Sequence, residues 1–466
     1  MIRIARVTFK GGLNLFIGQL LTTIISAIGA IAVMRLLTPS EYGVVTVALI
    51  APTILSLLAG LGMGPALARH IAWFRERGRE GIEVITLISF LLQIAMSALL
   101  TILSWFSAGV FASHIFHRPG IAYLIGVASL FILGNGLYNS SYYLFQGFEK
   151  MEYSSIIMIL QALIRAVSGP VLIILGLGAL GAVWGVTLGA LGAGLMGLIL
   201  TLSIFRGRTR NFSGDLSFLK GFKLLFSYGV PLTLVALLGN YTVKFGLISQ
   251  LSNLYLSWFT TNEEIGNFAV ATTLVMAMLL FTFPIETVIF PAFSKIDPSK
   301  ENREMNILFR YSVKYSSLLV IPTSMALMVL SRPLIYGLFG SKYSLAPDYL
   351  SLYASIFLLA GIGSLTAPHL LNGIGRTWQR MILSLITFIL SLVLCPPLTL
   401  LYRVPGLIIG MIIATASGHL YALYWLKRNY GVGIDYNSIL RIYLSSILAA
   451  SATYLLTSAL NIRPQL

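Results

Sequence analysis

Arg35-Leu36-Leu37-Thr38-Pro39-Ser40-Glu41-Tyr42-Gly43 separates two long apolar runs near the start of the chain. Its middle reads as a helix start. Thr38 supplies an N-cap hydroxyl, Pro39 has the backbone torsion suited to a first helical position, and the Glu41 carboxylate can reach back to the cap amide. The same design returns 223 residues later (261 minus 38) in Thr261-Asn262-Glu263-Glu264-Ile265-Gly266, with Thr38 over Thr261, Glu41 over Glu264 and Gly43 over Gly266.

Other pairs hold nearly the same offset, 226 residues (291 minus 65). Pro65-Ala66-Leu67-Ala68-Arg69 is echoed by Pro291-Ala292-Phe293-Ser294-Lys295. Ala128-Ser129-Leu130-Phe131 is echoed by Ala354-Ser355-Ile356-Phe357, and Leu144-Phe145-Gln146-Gly147 by Leu370-Leu371-Asn372-Gly373. An offset kept over separated segments predicts two copies of one unit.

The 466 residues are 57% hydrophobic and 10% charged, with a mean hydropathy of +0.88. Soluble domains carry about 25% charged residues, so the composition defines an all-α polytopic membrane protein. The net charge of +16 lies in short clusters between apolar runs. A nucleic-acid-binding protein gathers such charge on one face; here the positive-inside rule accounts for it. The single Cys395 excludes an internal disulfide framework and a Cys-rich metal site. Arg3, Arg6 and Lys10 precede an apolar run without a small-residue cleavage site, which reads as a signal anchor.

Apolar runs long enough to cross a bilayer fall at 13–37, 43–67, 83–106, 121–146, 154–176, 179–205, 228–250, 266–293, 312–336, 346–372, 379–401, 405–426 and 438–460. With the N-terminus placed in the cytoplasm, Lys and Arg favour the inner segments by about four to one. Six spans per copy is an even number, so both copies run in the same sense, as parallel repeats. The expected organisation is an N-lobe at 1–206 (spans 1–6), a cytoplasmic interfacial linker helix at 207–227, a C-lobe at 228–426 (spans 7–12) and one extra span at 427–466. In the linker, Phe218, Phe222 and Leu225 share one helical face, away from Lys220 and Lys223.

Charges inside spans are costly in lipid and point to function. Arg165 lies in span 5 and Lys244 in span 7, while Arg35 and Arg69 mark opposite ends of spans 1 and 2. Together they suit a cationic cavity for a phosphate or pyrophosphate group. The alternative is snorkelling, or pairing with Glu286, an acid inside span 8 that reads either as an ion-pair partner or as a proton or cation site. Asn14, Gln19, Asn139 and Asn240 are candidate sugar contacts, with interhelical hydrogen bonding as the plainer reading. His369 and His419 read as isolated hydrogen-bonded histidines. No G-x-S-x-G, H-E-x-x-H or phosphate-binding glycine loop is present, and no D-x-D pair stands at a membrane edge. The sequence therefore calls for no cofactor, no metal and no enzyme activity.

The opening stretch, followed by Leu61-Gly62-Met63-Gly64-Pro65-Ala66-Leu67-Ala68-Arg69, resembles the first two helices of the Wzx-type oligosaccharide flippases. These belong to the multidrug/oligosaccharidyl-lipid/polysaccharide exporter superfamily. Gln146-Gly147 and Asn372-Gly373 at the ends of spans 4 and 10 share the resemblance. It implies two six-helix lobes in a V-shaped bundle and alternating access. It also implies transfer of a polyprenyl-pyrophosphate-linked oligosaccharide from the inner to the outer leaflet of a plasma membrane, with Arg165 and Lys244 suited to the pyrophosphate. Membrane lipids and H+ or Na+ are the implied partners, and the monomer is the implied unit. The competing readings are a cation-coupled multidrug antiporter, a lipid II flippase and, from another class, a membrane-embedded glycosyltransferase.

Overall fold

The computed structural model describes residues 2–60, 62–76, 81–206, 218–237, 246–277, 293 and 302–459. Among these residues the chain is helical and holds no strand. Among the described residues, eight helical segments are long and apolar enough to cross a membrane, and up to nine if the bent pair Ala346–Ile362 and Ala367–Gly373 forms one span. Two of the eight, Met151–Phe205 and Thr377–Tyr430, are 55 and 54 residues long. Each is a hairpin of two spans, as the sequence predicts. The expected spans at 228–250 and 266–293 run partly outside the described residues.

The chain divides into two compact units, Met1–Leu237 and Leu238–Leu466. In the first, Ala122–Gly147 is the central helix, packed against Ile82–Phe106, Met63–Glu76 and Gly178–Phe205. Its crossing with Gly178–Phe205 is a backbone contact: a Cβ on Gly134 would lie 2.5 Å from the Leu191 amide nitrogen. Without a hydrophobic drive between helices in lipid, such close approach supplies much of the association. The second span is divided into Pro39–Ala48, Ile50–Gly60 and Met63–Glu76. Gly62, at φ 63°, turns the chain between the last two.

Two boundaries differ from expectation. The N-terminal basic segment belongs to one helix, Ile2–Leu36. Phe218–Leu237 is likewise one helix, so no break separates a short interfacial helix from the following span. Leu225 is fully buried in a cluster with Leu67, Ile71, Phe74, Phe145 and Phe148. That burial holds the helix to the first unit and carries this unit past the boundary expected at 206.

The repeat is visible atom by atom. In the first unit the Thr38 amide and hydroxyl each donate to Glu41 Oε2 at 2.8 Å, and the Glu41 amide donates to Thr38 Oγ1 at 3.3 Å. In the second, Thr261 and Glu264 repeat those bonds at 2.9, 3.0 and 3.3 Å. Each box also meets the turn of its unit's hairpin. Glu41 Oε1 lies 3.5 Å from where a Cβ of Gly178 would stand, and Glu264 Oε2 accepts Arg403 Nη1 at 2.9 Å. The two turns share one backbone conformation, φ 49° and ψ −129° at Gly178 against φ 55° and ψ −136° at Arg403. The sequence echo extends to this pair, 225 residues apart (403 minus 178).

The C-terminal helix Tyr436–Ala459 packs along Asn302–Val329. The Asp435 carboxylate caps its start, accepting the Ser438 amide at 3.3 Å and the Ser438 hydroxyl at 2.6 Å. These bonds, aided by Lys314, hold the Asp435 carboxyl below the ordinary carboxylate range. A depressed folded value means that the contribution is present above the unfolded value and is lost as pH falls through the folded one. Amide exchange at Ser438 should therefore accelerate on acidification below about pH 4 and stay slow in Asp435→Asn, whose amide oxygen keeps the cap. At Gly178, alanine is forced into a conformation that costs about 1–3 kcal/mol. Gly178→Ala should lower thermal stability in detergent accordingly, while Gly337→Ala, with nothing within 4 Å of the added Cβ, should not.

Candidate functional site

Arg165 lies in Met151–Leu172, on a stretch that meets the following helix backbone to backbone. A Cβ on Gly189 would stand 3.1 Å from Arg165 Cβ and 3.0 Å from the Gln161 carbonyl oxygen. The glycine stripe thus seats the arginine stem, and Arg165 is partly buried. Its electrostatic partner is Tyr42, the residue after the capping-box glutamate. The motif that identifies the repeat therefore also reaches the charge expected to carry function.

Arg69 takes a different aromatic partner. It is exposed at the Met63–Glu76 helix, with its guanidinium carbon 4.1 Å above the Tyr228 ring. His70 meets the same ring edge-on at 6.0 Å. A cation over an aromatic face keeps its full charge and its outer N–H donors, because the ring is not an anion. Arg75 is tied down instead: it donates to the Gly147 carbonyl at 3.2 Å and lies 3.7 Å from Glu149. Of the basic residues at this end of the unit, Arg69 is better placed than Arg75 to meet an anionic group.

Arg35 is exposed in the last turn of Ile2–Leu36. Asn14 and Gln19 stand on the same helix. The Asn14 carbonyl accepts Ser155 Oγ at 2.9 Å, an interhelical bond that leaves the side-chain amide available for other contacts. Gln19 is exposed, and Asn139 is partly buried in Ala122–Gly147. Arg69 and Arg165 thus have different tyrosines near them, Tyr228 and Tyr42. Lys244, Glu286 and Asn240 lie outside the described residues.

Two polar residues take the plainer reading. Gln93 donates to the Ala59 carbonyl at 3.2 Å and to Ser97 Oγ at 3.1 Å, and Asn135 donates to Ser56 Oγ at 2.7 Å. Three features escape sequence reasoning. Tyr138 and Tyr142 stack at 5.9 Å, with Tyr143 edge-on to Tyr142 at 5.3 Å. Glu264 and Arg403 pair within the second unit. His369 and His419 both feel the charge of Arg380. The tyrosine spacing at i and i+4 could have signalled the first. The other two join residues far apart in the chain.

Among the described residues no group of three or more His, Cys, Asp or Glu could hold a metal ion. The arrangement offers basic, aromatic and amide groups on membrane-spanning helices, which suits recognition of an anionic headgroup carrying polar rings.

These features define a polytopic helical membrane protein of transporter architecture. The fold is shared with lipid II flippase MurJ in an inward closed conformation, at TM-score 0.73 and 18% identity over 95% of this chain and 92% of that one. It is also shared with an inward-facing multidrug resistance MATE family transporter of the MOP superfamily, at TM-score 0.60 and 16% identity over 88% and 94%. A family model described as polysaccharide biosynthesis protein matches residues 8–297, and the chain belongs to that family. It is 24% identical over 230 residues to a probable low-salt glycan biosynthesis flippase, Agl15, of Haloferax volcanii. That match spans 46% of this chain and 47% of the relative, so about half of its length. The resemblance to oligosaccharide flippases read from the two opening helices holds.

Tyr143 gives the packing of this region a direct test. A Cβ on Gly64 would lie 2.2 Å from the Tyr143 ring. Overpacking of this kind typically costs about 1–3 kcal/mol. Gly64→Ala should lower the melting temperature in detergent, and Gly64→Ala/Tyr143→Ala should recover part of the loss.

Proposed function

We propose that this protein is a flippase for a lipid-linked oligosaccharide, moving a polyprenyl-pyrophosphate-linked glycan from the inner to the outer leaflet of the plasma membrane by alternating access. The N-terminus lies in the cytoplasm, the side that the Lys and Arg distribution favours. The protein acts as a transporter, without a chemical step on the glycan. The observation that carries the reading is Arg165: a partly buried arginine seated on a glycine stripe of a membrane hairpin. Family membership and the glycan flippase named among the relatives support the substrate class.

In this reading Arg165, Arg69, Arg35 and Lys244 meet the pyrophosphate in turn, and arginine suits it because its fork of donors matches phosphate oxygens. Asn14, Gln19, Asn139 and Asn240 bond sugar hydroxyls. The apolar tail stays in the bilayer, so only the headgroup needs a polar route. Glu286 serves as an ion-pair partner or as a site for a coupling cation. The two compact units, Met1–Leu237 and Leu238–Leu466, act as the two lobes, with 427–466 as an added span of the second.

Reconstitution with a fluorescent polyprenyl-pyrophosphate oligosaccharide tests this. Transfer between leaflets should exceed that of protein-free vesicles. Arg165→Ala and Lys244→Ala should each slow it about tenfold or more, the size of one charge-assisted hydrogen bond. Transfer equal to protein-free vesicles would overturn the flippase reading, and wild-type rates in both variants would overturn the assignment of these two residues.

A further inference from the structure

The central helix of the first unit, Ala122–Gly147, is closed on two sides by backbone-close packing. A Cβ on Gly194 would stand 2.6 Å from the Gly134 carbonyl oxygen and 2.9 Å from Leu137 Cβ, and one on Gly197 would stand 2.6 Å from Ser141 Cβ. On another side, a Cβ on Gly136 would overlap Ser97 Oγ, and Tyr143 lies against Gly64. At about 3.6 residues per turn, the side left over carries Asn135, Tyr138, Asn139, Tyr142 and Gln146. All of these are partly exposed, whereas Gly134, Gly136, Leu137, Ser140 and Ser141 are buried. The helix belongs to a membrane span, Pro119–Gly147. A face of three amides and two phenols is costly against lipid and belongs toward the bundle interior or a water-filled path. From Phe131 to Gln146 the chain has no Asp, Glu, Lys or Arg, so this face is polar without being charged.

The rings on it are held in place. Tyr138 and Tyr142 stack with centroids 5.9 Å apart and planes 20° apart. Tyr143 meets Tyr142 edge-on at 5.3 Å and is itself seated on Gly64, where a side chain would overlap its ring. At the edge of the face, Asn135 donates to Ser56 Oγ at 2.7 Å. Groups fixed in this way lose little freedom when a ligand arrives.

The internal repeat shows that packing alone does not call for these residues. The 226-residue offset holds on both sides of the stretch, between 128–131 and 354–357 and between 144–147 and 370–373. Within it, Asn135, Tyr138, Asn139, Tyr142 and Gln146 correspond to Gly361, Ser364, Leu365, Pro368 and Asn372. The second copy keeps an amide at the last place and has no aromatic ring at any of them. Its chain also leaves the α-helical path there. It runs as 3-10 helix over Ser355–Ile362 and bends by 48° before Ala367–Gly373, with Gly363 in the bend at φ 78°. The polar aromatic face is a property of the first unit.

We propose that this face binds sugar: Tyr138 and Tyr142 form a platform for the apolar side of a pyranose ring, and Gln146 joins Asn139 in bonding its hydroxyls. The proposal rests on the flippase reading and gives it a glycan subsite in the first unit. An aromatic face is electron-rich and attracts the weakly positive C–H groups on one side of a sugar. Amides both donate and accept, and so match hydroxyls, which do the same. With no fixed charge on the face, neither a pyrophosphate nor an organic cation meets a counter-charge there. The buried cluster of Leu67, Ile71, Phe74 and Phe145 that supports Tyr138 and Tyr142 also supports Tyr228, the ring beneath Arg69. A platform for sugar and a cation for phosphate thus share one scaffold, as a headgroup joining the two requires.

The test compares two ligands on purified protein in nanodiscs: the fluorescent polyprenyl-pyrophosphate oligosaccharide of the transfer assay, and the same fluorescent lipid stripped of its sugars. Wild type should bind the glycan-bearing lipid more tightly, by roughly two- to tenfold, the size of one aromatic contact. Tyr142→Leu should bring the two affinities together, and Tyr142→Phe, which keeps the ring, should keep them apart. Where Tyr142→Leu does not assemble, Tyr138→Leu is read in the same way. No preference in wild type, or a full preference in the leucine variant, overturns the sugar face. So does displacement of the oligosaccharide by tetraphenylphosphonium in wild type but not in Tyr142→Leu, which would give the platform to an organic cation. The transfer assay reports separately on the flippase reading. Protein that binds the glycan preferentially yet moves it no faster than protein-free vesicles refutes that reading and leaves the sugar face standing.

Discussion

A carboxylate at the start of one helix governs each half of this protein. Glu41 and Glu264 close their capping boxes, and each also stands at the turn of a two-span hairpin later in the same unit. That turn bends the backbone into a region that side-chain-bearing residues avoid. In the first unit the conformation is met by a glycine, Gly178. In the second it falls on Arg403, whose guanidinium is bonded to the same carboxylate that caps the helix. The helix start, the turn and the ion pair form one device, and it fixes where the hairpins lie against the rest of their units.

Membrane-embedded charges follow a common pattern. Arg69 rests on Tyr228, and Tyr42 acts electrostatically on Arg165. An aromatic partner lowers the cost of burying a guanidinium without neutralising it. A carboxylate would satisfy the charge and occupy its donors, as Glu149 and the Gly147 carbonyl do for Arg75. An arginine over a tyrosine ring keeps its charge and donors, while one on a carboxylate has both engaged. The Glu264–Arg403 pair belongs to the second kind.

Much of this was legible in the residues. The capping boxes, the repeat and the two long hairpins follow from local chemistry and apolar periodicity, and the structure contains all three. The separate linker helix does not survive, because burial of Leu225 against a distant cluster decides it and no cap residue marks a break. Span 10 reads as one apolar run, and only the structure shows the bend at Gly363, since a left-handed glycine inside apolar sequence looks like any other. Arg403 was hidden for the opposite reason: positive φ is expected at glycine, and the partner that holds this arginine there is 139 residues away. His369 and His419 looked solitary because Arg380 joins them only in three dimensions.

The unequal solutions at the two hairpin turns have a consequence for how each half can change. Gly178 adopts its conformation unaided, so residues around it can drift while the turn persists. Arg403 and Glu264 hold theirs jointly, and loss of either leaves a strained backbone or an unmatched carboxylate. The two copies, alike in form, therefore differ in mutational freedom: one turn is secured by the absence of a side chain, the other by an agreement between two that must be altered together.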